Sequence, residues 1–292
     1  MAVTPHSDGQ PDPGAAIPLG LVDWLMLGYL GTVIVIAGTR LSFRPWAGWI
    51  MVAYALIAVL VFLLHRPGLG RFGRLFREVY PIVLLPALYG SLDLLNGPDV
   101  RTWDGTVQGW EAALFGGQIS ALWWQRSPSH FWSTLLHAVY FAYYFIVPFP
   151  AILFLWRRQP GHARTAVTLV VATFLFCYLC FLLLPVAGPY YEFPRPTGPF
   201  VDNWAAGLVY ATLARGSSYG AAFPSSHVAA TVAATIGTWL GSKVAGAWLI
   251  VPTLLLTVGV VYCQMHYAVD ALAGLLVPLP ITALILRAQA TR

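Results

Sequence analysis

The feature that most constrains this chain is a succession of long apolar runs separated by short polar segments. Of its 292 residues, 58% are hydrophobic and only 9% are charged, whereas a soluble globular domain averages roughly a quarter charged. A helix needs roughly 17–25 apolar residues to cross a bilayer. The sequence therefore predicts an all-α integral membrane protein with about eight transmembrane helices. The runs are 21–38, 46–64, 79–95, 131–156, 165–186, 224–240, 244–261 and 267–286.

Two regions are less regular than the rest. The run 79–95 contains Pro81 and Pro86, so a broken or re-entrant segment is an alternative to a full span. Residues 1–17 are polar and rich in Gly and Pro, which predicts a disordered N-terminal tail. Residues 18–292 are expected to form a single polytopic membrane domain.

The basic residues predict an orientation in the membrane. With a cytoplasmic N-terminus, ten of the 16 Lys and Arg residues fall on the cytoplasmic side, in agreement with the positive-inside rule. This orientation brings Arg195, His227 and the pair His266 and Asp270 together on the extracytoplasmic side. The expected location is the bacterial plasma membrane.

Composition also limits the partners and cofactors. The formal charge of +5 is small and the arginines are dispersed, so the concentrated basic face of a nucleic-acid-binding protein is missing. The seven histidines are scattered over different runs, and neither a metal nor another cofactor is expected. Cys177 and Cys180 are spaced like a redox pair but lie inside an apolar run, which favours a packing role. The bilayer and lipid substrates are the expected partners, and the oligomeric state is left open.

The segment 96–130 is too polar to cross the membrane and is rich in tryptophan. Indole rings favour the headgroup layer, so residues 108–122 either lie flat on the outer leaflet as an amphipathic helix or form a loop that covers the bundle. Asp104 and Glu111 lie in this segment. They are interpreted as solvated acidic side chains, with contacts to a lipid headgroup as the alternative.

Two short segments at the edges of apolar runs carry the chemistry: residues 223–227 (Phe-Pro-Ser-Ser-His) and the pair His266 and Asp270. Ionisable residues are rare in membrane spans and are usually functional. Residues four apart share a face of a helix, so Asp270 can orient His266 and leave its second ring nitrogen free to attack phosphorus. His227 is then the candidate acid that protonates the leaving oxygen, and the base that deprotonates the acceptor.

Three further residues are candidates for the phosphate site. Ser225 and Ser226 lie where a helix is expected to begin, and free backbone N–H groups at a helix N-terminus bind anions. Arg195 is the first choice for the positive charge. Each feature alone has a structural explanation, since serines also cap helices and a His–Asp pair also joins helices. Their occurrence together on one side of the membrane favours an active site.

These motifs resemble those of the type-2 phosphatidic acid phosphatase superfamily. The segment 223–227 is similar to the superfamily's second signature, usually Pro-Ser-Gly-His, and 266–274 to its third, a histidine followed by aspartate four residues on. The resemblance implies that His266 is the phosphohistidine nucleophile, Asp270 its partner and His227 the general acid. It also implies a metal-independent six-helix core, roughly residues 79–287, preceded here by two extra helices.

The chain also departs from this pattern. Arg195 matches an arginine of the first signature, but Gly188 stands where that signature has lysine, and Gly259 and Val260 replace the Ser-Arg of the third. This loss of cations resembles the branch that contains inositol phosphorylceramide synthase and its inositolphosphotransferase relatives. Looser similarities to that branch extend the resemblance over residues 93–286. They lie at 184–190, 110–116 and 137–140.

Fewer cations suit a phosphodiester, which carries one negative charge where a monoester carries nearly two. The resulting hypothesis is a phosphotransferase that moves a headgroup phosphate, with phosphoinositol as a candidate, to a lipid alcohol. The alternatives are a phosphatase that hydrolyses phosphatidic acid or an isoprenoid (di)phosphate with water as acceptor, and a non-catalytic lipid-binding or transport protein. His137, Tyr190 and Tyr191 are candidate headgroup contacts, which aromatic packing or helix–helix hydrogen bonds explain equally well.

Overall fold

The computed structural model describes residues 17–97 and 99–291 of the chain. Apart from Ile17, the predicted tail 1–17 lies outside the described residues. Within the described part the chain is helical, and its single strand-like pairing is an isolated bridge between Val186 and Ala221. A short 3-10 helix, Gly198–Phe200, lies between the ninth and tenth α-helices, whose bounds are given next. The α-helices are α1 (Leu21–Arg40), α2 (Ala47–Leu63), α3 (Arg71–Asn96), α4 (Asp104–Phe115), α5 (Ile119–Arg126), α6 (His130–Ile146), α7 (Phe149–Trp156), α8 (Pro160–Leu183), α9 (Pro189–Glu192), α10 (Trp204–Gly216), α11 (Ser226–Gly241), α12 (Lys243–Tyr262), α13 (Ala268–Leu276) and α14 (Pro278–Ala290).

Fewer helices meet the length for crossing a membrane than the sequence predicts. Within residues 17–97 and 99–291, five spans are long and apolar enough, or six if the bent pair α6 and α7 forms one span. The five are α1, α3, α8, α12 and the consecutive helices α13 and α14. The two other predicted spans correspond to α2 and α11, which have only 17 and 16 residues. Helices of this length and hydropathy are typical of a membrane protein, whereas the expected count of eight is not confirmed.

Prolines act differently in two of the predicted spans. α3 runs through Pro81 and Pro86 as one continuous helix that already begins at Arg71, so the broken or re-entrant alternative does not apply. The predicted span 131–156 is instead divided into α6 and α7, which are bent by 46° relative to each other. Pro148 lies at this break, where its missing N–H group interrupts the helical hydrogen bonds.

α11 forms the centre of the bundle and packs against α8, α12 and α13. It is rich in Ala, Gly and Thr, and small side chains let neighbouring helices approach closely. A Cβ atom added at Gly237 would lie 2.9 Å from the Cα atom of Ala166 in α8. The largest hydrophobic cluster combines residues of α1, α2, α3, α8 and α11, so the N-terminal helices share a core with the central helix.

One end of the bundle, called the site end below, collects most of the residues singled out from the sequence. The C-terminal ends of α1, α3 and α8 meet there, where Arg40 donates hydrogen bonds to the carbonyl oxygens of Leu95 and Leu182 at 3.1 and 2.8 Å. Helix ends leave such carbonyl groups without partners. The loop that leads into α11 joins this end through the Ala222 N–H group, which donates to Val186 O at 2.9 Å.

The segment 96–130 forms two helices at the site end instead of one amphipathic helix over 108–122. α4 and α5 are separated at Gly116, whose φ of +74° lies in the left-handed region. α4 packs across the start of α13, where Gln108 donates to the Tyr267 hydroxyl at 2.9 Å. The segment therefore covers the end of the bundle, which agrees with the second of the two interpretations.

Candidate active site

Two helix starts are joined at the centre of the site end. The Ser225 N–H group, just before α11, donates to the carbonyl oxygen of Asp270 in α13 at 3.0 Å. The two backbones are in close contact at Gly274, where an added Cβ atom would lie 2.7 Å from Ser225 O. A side chain larger than glycine would push the helices apart. This contact brings His227, in the first turn of α11, next to His266 and Asp270.

His266 lies in the tight connection between α12 and α13. The N–H groups of Met265 and His266 both donate to Val260 O at 2.9 Å, and Gln264 holds a left-handed conformation with φ of +59°. The turn fixes the backbone that carries the predicted nucleophile. Because Gln264 also donates from its amide to Pro194 O at 3.0 Å, the turn is tied to the loop that carries Arg195.

Asp270 lies beside His266, but the two do not share a helix face as predicted, because His266 precedes α13 and only Asp270 belongs to it. His266 Nδ1 and Asp270 Oδ2 are 3.4 Å apart, longer than a well-formed hydrogen bond, and both residues are buried. The same carboxylate oxygen accepts the Tyr267 N–H group at 2.8 Å, which caps the start of α13. Catalytic hydrogen bonds are often long in ligand-free structures and tighten in the complex with substrate.

His227 faces His266, and two tyrosines of α6 enclose it. The ring centroids of the two histidines are 5.7 Å apart. Tyr140 stacks on the His227 ring with centroids 4.8 Å apart, and Tyr143 packs against it at 4.5 Å. The sequence singled out Tyr140 only as part of the similarity over 137–140 and missed Tyr143. Their spacing of three residues was the available signal, since residues three apart share a helix face.

Several polar atoms of this group have no partner in the protein. His227 Nδ1, His266 Nδ1 and Asp270 Oδ1 are buried without a hydrogen bond. Buried polar atoms are nearly always paired in folded proteins, and exceptions are a feature of functional sites. A cavity of about 40 Å³ lies between the two histidines and a wall of tyrosine and serine side chains, namely Tyr89, Tyr140, Tyr190, Tyr191, Ser217 and Ser218.

The two predicted phosphate-binding serines differ in what they do. The Ser225 hydroxyl accepts the Val228 N–H group at 3.4 Å and thereby caps α11, which is the structural role considered for it. Ser226 is buried in the first turn of the helix. The N–H groups of Ser226 and His227 belong to the first turn, so they have no acceptor within the helix. These two groups, rather than the Ser225 side chain, offer an anion site at this helix start.

Arg195 lies next to the cavity without lining it. Its side chain is exposed, and its guanidinium carbon stands 4.2 Å above the centroid of the Tyr190 ring. Tyr190 in turn lines the cavity. Tyr191 also lines it and shares a hydrogen bond of 2.5 Å with the Ser217 hydroxyl. The predicted headgroup contacts Tyr190 and Tyr191 therefore form the wall nearest to the candidate cation.

His137 does not lie at the cavity, so the prediction that it contacts a headgroup is not supported by its position. Its side chain is fully buried, with Nδ1 donating to Ser133 O at 2.8 Å and lying 3.5 Å from Cys263 Sγ. The Ser133 hydroxyl is bonded in turn to Phe200 O. The Nδ1 bond stays within α6 and the ring packs against Phe200 and Tyr210, which matches the alternative explanation by aromatic packing. His137 and Tyr140 are about one helical turn apart in α6. The sequence therefore does not show which of them contacts His227, and only the packing of the helices does.

Asp104 and Glu111 are buried, and the expectation that they are solvated is wrong. Asp104 accepts the N–H groups of Ala187 and Gly188 at 2.8 Å each. Glu111 accepts those of Ser120 and Ala268 at 3.2 Å each. Burial raises the pKa of Glu111. These carboxylates fix the loop after α8 and the start of α13, because backbone donors in a covered loop need acceptors.

At the positions where the signatures have a cation and this chain has none, neighbouring residues fill the space. Gly188 has a φ of +91°, and an added Cβ atom would lie 2.8 Å from the Cβ atom of Ala222. A Cβ atom at Gly259 would lie 3.2 Å from that of Leu136, and Val260 is fully buried. A lysine at Gly188 would strain the backbone and collide with Ala222, and an arginine at Val260 would place its charge among buried side chains. Among the described residues, no group of three or more His, Cys, Asp and Glu side chains could hold a metal ion.

Comparison with known proteins agrees with this geometry. A model of the PAP2 superfamily matches residues 106–284, more than half of the chain. The chain therefore belongs to the PAP2 superfamily, and this membership indicates the class of lipid phosphatases and phosphotransferases. The match covers α11, α13 and their connections and begins within α4. No curated protein and no solved structure gives a significant match.

Proposed function

We propose that this protein is a membrane phosphotransferase that moves a phosphate-linked lipid headgroup to a lipid alcohol through a phosphohistidine intermediate. The observation that carries the proposal is the meeting of His227 and His266 across a small cavity, with Asp270 behind His266 and atoms left without protein partners. Membership in the PAP2 superfamily supports the coarser class, a lipid phosphatase or phosphotransferase.

In the first step His266 attacks the phosphorus of the donor lipid through Nε2. Asp270 holds the Nδ1 side of the ring and stabilises the positive charge that develops on it. The P–N bond forms, the bond from phosphorus to the lipid oxygen breaks, and His227 gives its proton to that oxygen. In the second step the acceptor hydroxyl attacks the phosphorus, its proton goes to His227, and the P–N bond breaks. Neither step draws on a metal.

The charge of the site supports a diester substrate. Two cation positions of the superfamily pattern are occupied here by Gly188 and Val260, and packing closes both. Arg195 is the one cation of the pattern that remains, and it stands over Tyr190 at the cavity wall. One arginine with the N–H groups of Ser226 and His227 suits a single negative charge better than two. A phosphoinositol headgroup is one such diester.

The site end is proposed to face the extracytoplasmic side of a bacterial plasma membrane, because the excess of Lys and Arg lies at the other end. Hydrolysis is the second candidate reaction, since the superfamily includes phosphatases and water can replace the lipid alcohol in the second step. The walls that would exclude water are the tyrosines around the cavity, and exclusion of water decides between transfer and hydrolysis.

The test is a metal-free assay of the purified protein in detergent or vesicles that contain a chelator. Phosphatidic acid, an isoprenoid diphosphate and phosphatidylinositol are offered in turn, with and without a lipid alcohol, and all products are resolved. We expect headgroup transfer from phosphatidylinositol that requires both the lipid alcohol and His266. The matched control is His65→Ala, which removes a buried histidine at the opposite end of the bundle.

The other outcomes separate the alternatives. Free phosphate from phosphatidic acid or the isoprenoid diphosphate, without transfer, would make the protein a phosphatase. Lipid binding without any turnover would favour a non-catalytic binding or transport protein. Turnover that survives His266→Ala would contradict the phosphohistidine mechanism itself.

A further inference from the structure

Tyr140 makes a specific contact with the candidate acid–base histidine. Its hydroxyl oxygen is 3.2 Å from His227 Nε2, and its ring lies at 25° to the imidazole ring with centroids 4.8 Å apart. Within the described residues, no other side chain hydrogen-bonds the His227 ring. Tyr143 packs against the same ring at 4.5 Å without a hydrogen bond to it. Stacking and hydrogen bonding together define both the plane and the rotation of the imidazole.

The two ring nitrogens of His227 are therefore in different environments. Nε2 meets the Tyr140 hydroxyl, whereas Nδ1 is buried without any partner. The hydrogen bond made by one imidazole nitrogen decides which nitrogen carries the proton and which exchanges it. His266 has the same arrangement, since Asp270 lies on its Nδ1 side and leaves Nε2 for the attack. The site thus has one orienting side chain for each histidine.

We propose that Tyr140 is a positioning residue for His227, which accepts a hydrogen bond from Nε2–H and reserves Nδ1 for proton exchange with substrate. This inference rests on the proposed function, in which His227 is the general acid and base. In this role Tyr140 acts on the reaction through His227 and touches no reacting atom itself.

The proton balance follows from this tautomer. In the first step His227 is an imidazolium, Nδ1–H gives its proton to the leaving lipid oxygen, and the neutral ring keeps Nε2–H on the Tyr140 oxygen. In the second step the acceptor hydroxyl passes its proton to Nδ1 as the P–N bond breaks, which restores the imidazolium. Tyr140 keeps its own proton throughout. Its phenol fixes the ring in a position where either direction of transfer needs no rotation.

The other side chains around His227 show why the positioning role is assigned to Tyr140. His266 faces it from the connection before α13, with Asp270 on the Nδ1 side of His266, and Tyr89 lines the same cavity from α3. Tyr89 accepts the Ser218 N–H group at 3.3 Å and so has another role. Tyr143 shares helix α6 and the ring contact with Tyr140 but not the hydrogen bond, which makes it a matched control for the hydroxyl group.

The first experiment compares Tyr140→Phe with Tyr143→Phe on two kinds of leaving group. Phosphatidylinositol and phosphatidic acid release diacylglycerol, whose oxygen must be protonated as it leaves. The aryl probes p-nitrophenyl phosphate and its methyl diester release p-nitrophenolate, which needs no acid. First-turnover release is measured for each by rapid quench, so that the second step does not mask the first. The thermal unfolding temperature in detergent is recorded for both variants.

For Tyr140→Phe we expect diacylglycerol release to slow by roughly 10–100-fold while the aryl burst stays within about threefold, since general acid catalysis contributes about 10²–10⁴-fold in enzymes. Tyr143→Phe should leave both reactions within about threefold of the wild type. An equal loss on both leaving groups would reduce Tyr140 to a packing residue, and no loss on either would remove it from the mechanism. Absence of diacylglycerol release from the wild type would refute the proposed function instead.

A second measurement needs no substrate that is turned over and leaves Tyr140 in place. ¹⁵N-histidine NMR of the wild-type protein, with the His227 signals assigned by difference from His227→Gln, reports which ring nitrogen carries the proton. We expect the Nε2–H tautomer at pH values where the ring is neutral. A ring protonated on Nδ1 instead would overturn the assignment, whatever the kinetics show.

Discussion

Residues 17–97 and 99–291 contain two His–Asp pairs, one at each end of the bundle, and the pairs differ in how fully they are bonded. At the end opposite to the site, His65 Nε2 is 3.2 Å from Asp23 Oδ2, and His65 Nδ1 bonds to Val61 O at 2.9 Å. Asp23 also accepts hydrogen bonds from the Gly20 N–H group at 2.7 Å and the Tyr80 hydroxyl at 2.5 Å. Both ring nitrogens and both carboxylate oxygens are used.

At the site end, the pair of His266 and Asp270 is longer at 3.4 Å, and one carboxylate oxygen and the Nδ1 atom have no hydrogen bond. The partner histidine, His227, also keeps a free nitrogen. The two pairs have the same residue types and are both buried, so these two properties do not distinguish them. They differ in unused bonding capacity, which at the site end belongs to three neighbouring residues, His227, His266 and Asp270.

The largest expected effect comes from removing one histidine of each pair. His266→Ala should reduce turnover by about 10⁴-fold or more, because the nucleophile is lost. His65→Ala should keep turnover within about threefold but lower the free energy of unfolding by about 1–3 kcal/mol, since Asp23 loses a buried partner. Metal-free turnover assays and thermal unfolding in detergent measure the two quantities. Equal losses of activity in both variants would remove the distinction between the pairs.

Replacing the carboxylates should give the next largest effect. Asp270→Asn keeps an oxygen for the Tyr267 N–H group but loses the charge that stabilises a phosphohistidine, so we expect turnover to fall by roughly 10³–10⁴-fold. Asp23→Asn should reduce thermal stability with turnover nearly unchanged. Steady-state rates for the two variants test this directly. A fully active Asp270→Asn would mean that the carboxylate only caps α13.

The next prediction compares Arg195, the cation at the cavity wall, with a second exposed arginine. Arg195→Ala should reduce kcat/KM by roughly 10–100-fold, since one charge-assisted phosphate contact contributes about 1.5–3 kcal/mol. Arg215→Ala, which removes another exposed arginine from the last turn of α10, is the matched control and should change kcat/KM by less than threefold. Equal effects of the two would indicate general attraction of anionic lipid rather than a phosphate contact.

The smallest effect concerns Glu111, which supports the start of α13. Burial raises the pKa of Glu111, so the folded protein binds this proton more tightly than the unfolded chain does. The stability gained from the proton is complete below the ordinary carboxyl pKa of about 4.3 and is lost as pH rises through the raised value. Relative to Glu111→Gln, the wild type should therefore lose thermal stability with rising pH over that range. A stability difference that grows in the opposite direction would contradict this account.

Much of the fold follows from hydrophobic runs, because a helix in a bilayer must satisfy its own backbone. α1, α3, α8 and α12 lie where the apolar runs predict them. Two features of the fold could not be predicted from the hydrophobic runs. Proline breaks the span 131–156 at Pro148 but not α3 at Pro81, and neighbouring helices decide which helix tolerates its proline. α11 also begins two residues later than the apolar run predicts, because Ser225 caps it.

The site was predictable where local spacing fixes geometry. His227 lies in the first turn of a helix, and His266 and Asp270 are close in sequence, so each position was set by its own short segment. The pair meets through the turn before α13 rather than on one helix face. Contacts between distant segments were not predictable. Tyr140 meets His227, and Glu111 reaches the start of α13, both through packing of separate helices. Asp104 and Glu111 lie in a polar, tryptophan-rich segment, and the sequence of such a segment does not show whether its carboxylates are buried or solvated.

The measurement that tests the central claim most directly is a rapid-quench search for the covalent intermediate. The wild-type protein is mixed with phosphatidylinositol carrying ³²P in its phosphate, without acceptor or metal, quenched in alkali, digested and mapped by mass spectrometry. We expect an acid-labile, alkali-stable adduct on the peptide that contains His266, which is absent in His266→Ala and retained in His65→Ala. Release of product without any such adduct, or an adduct on another residue, would contradict the account.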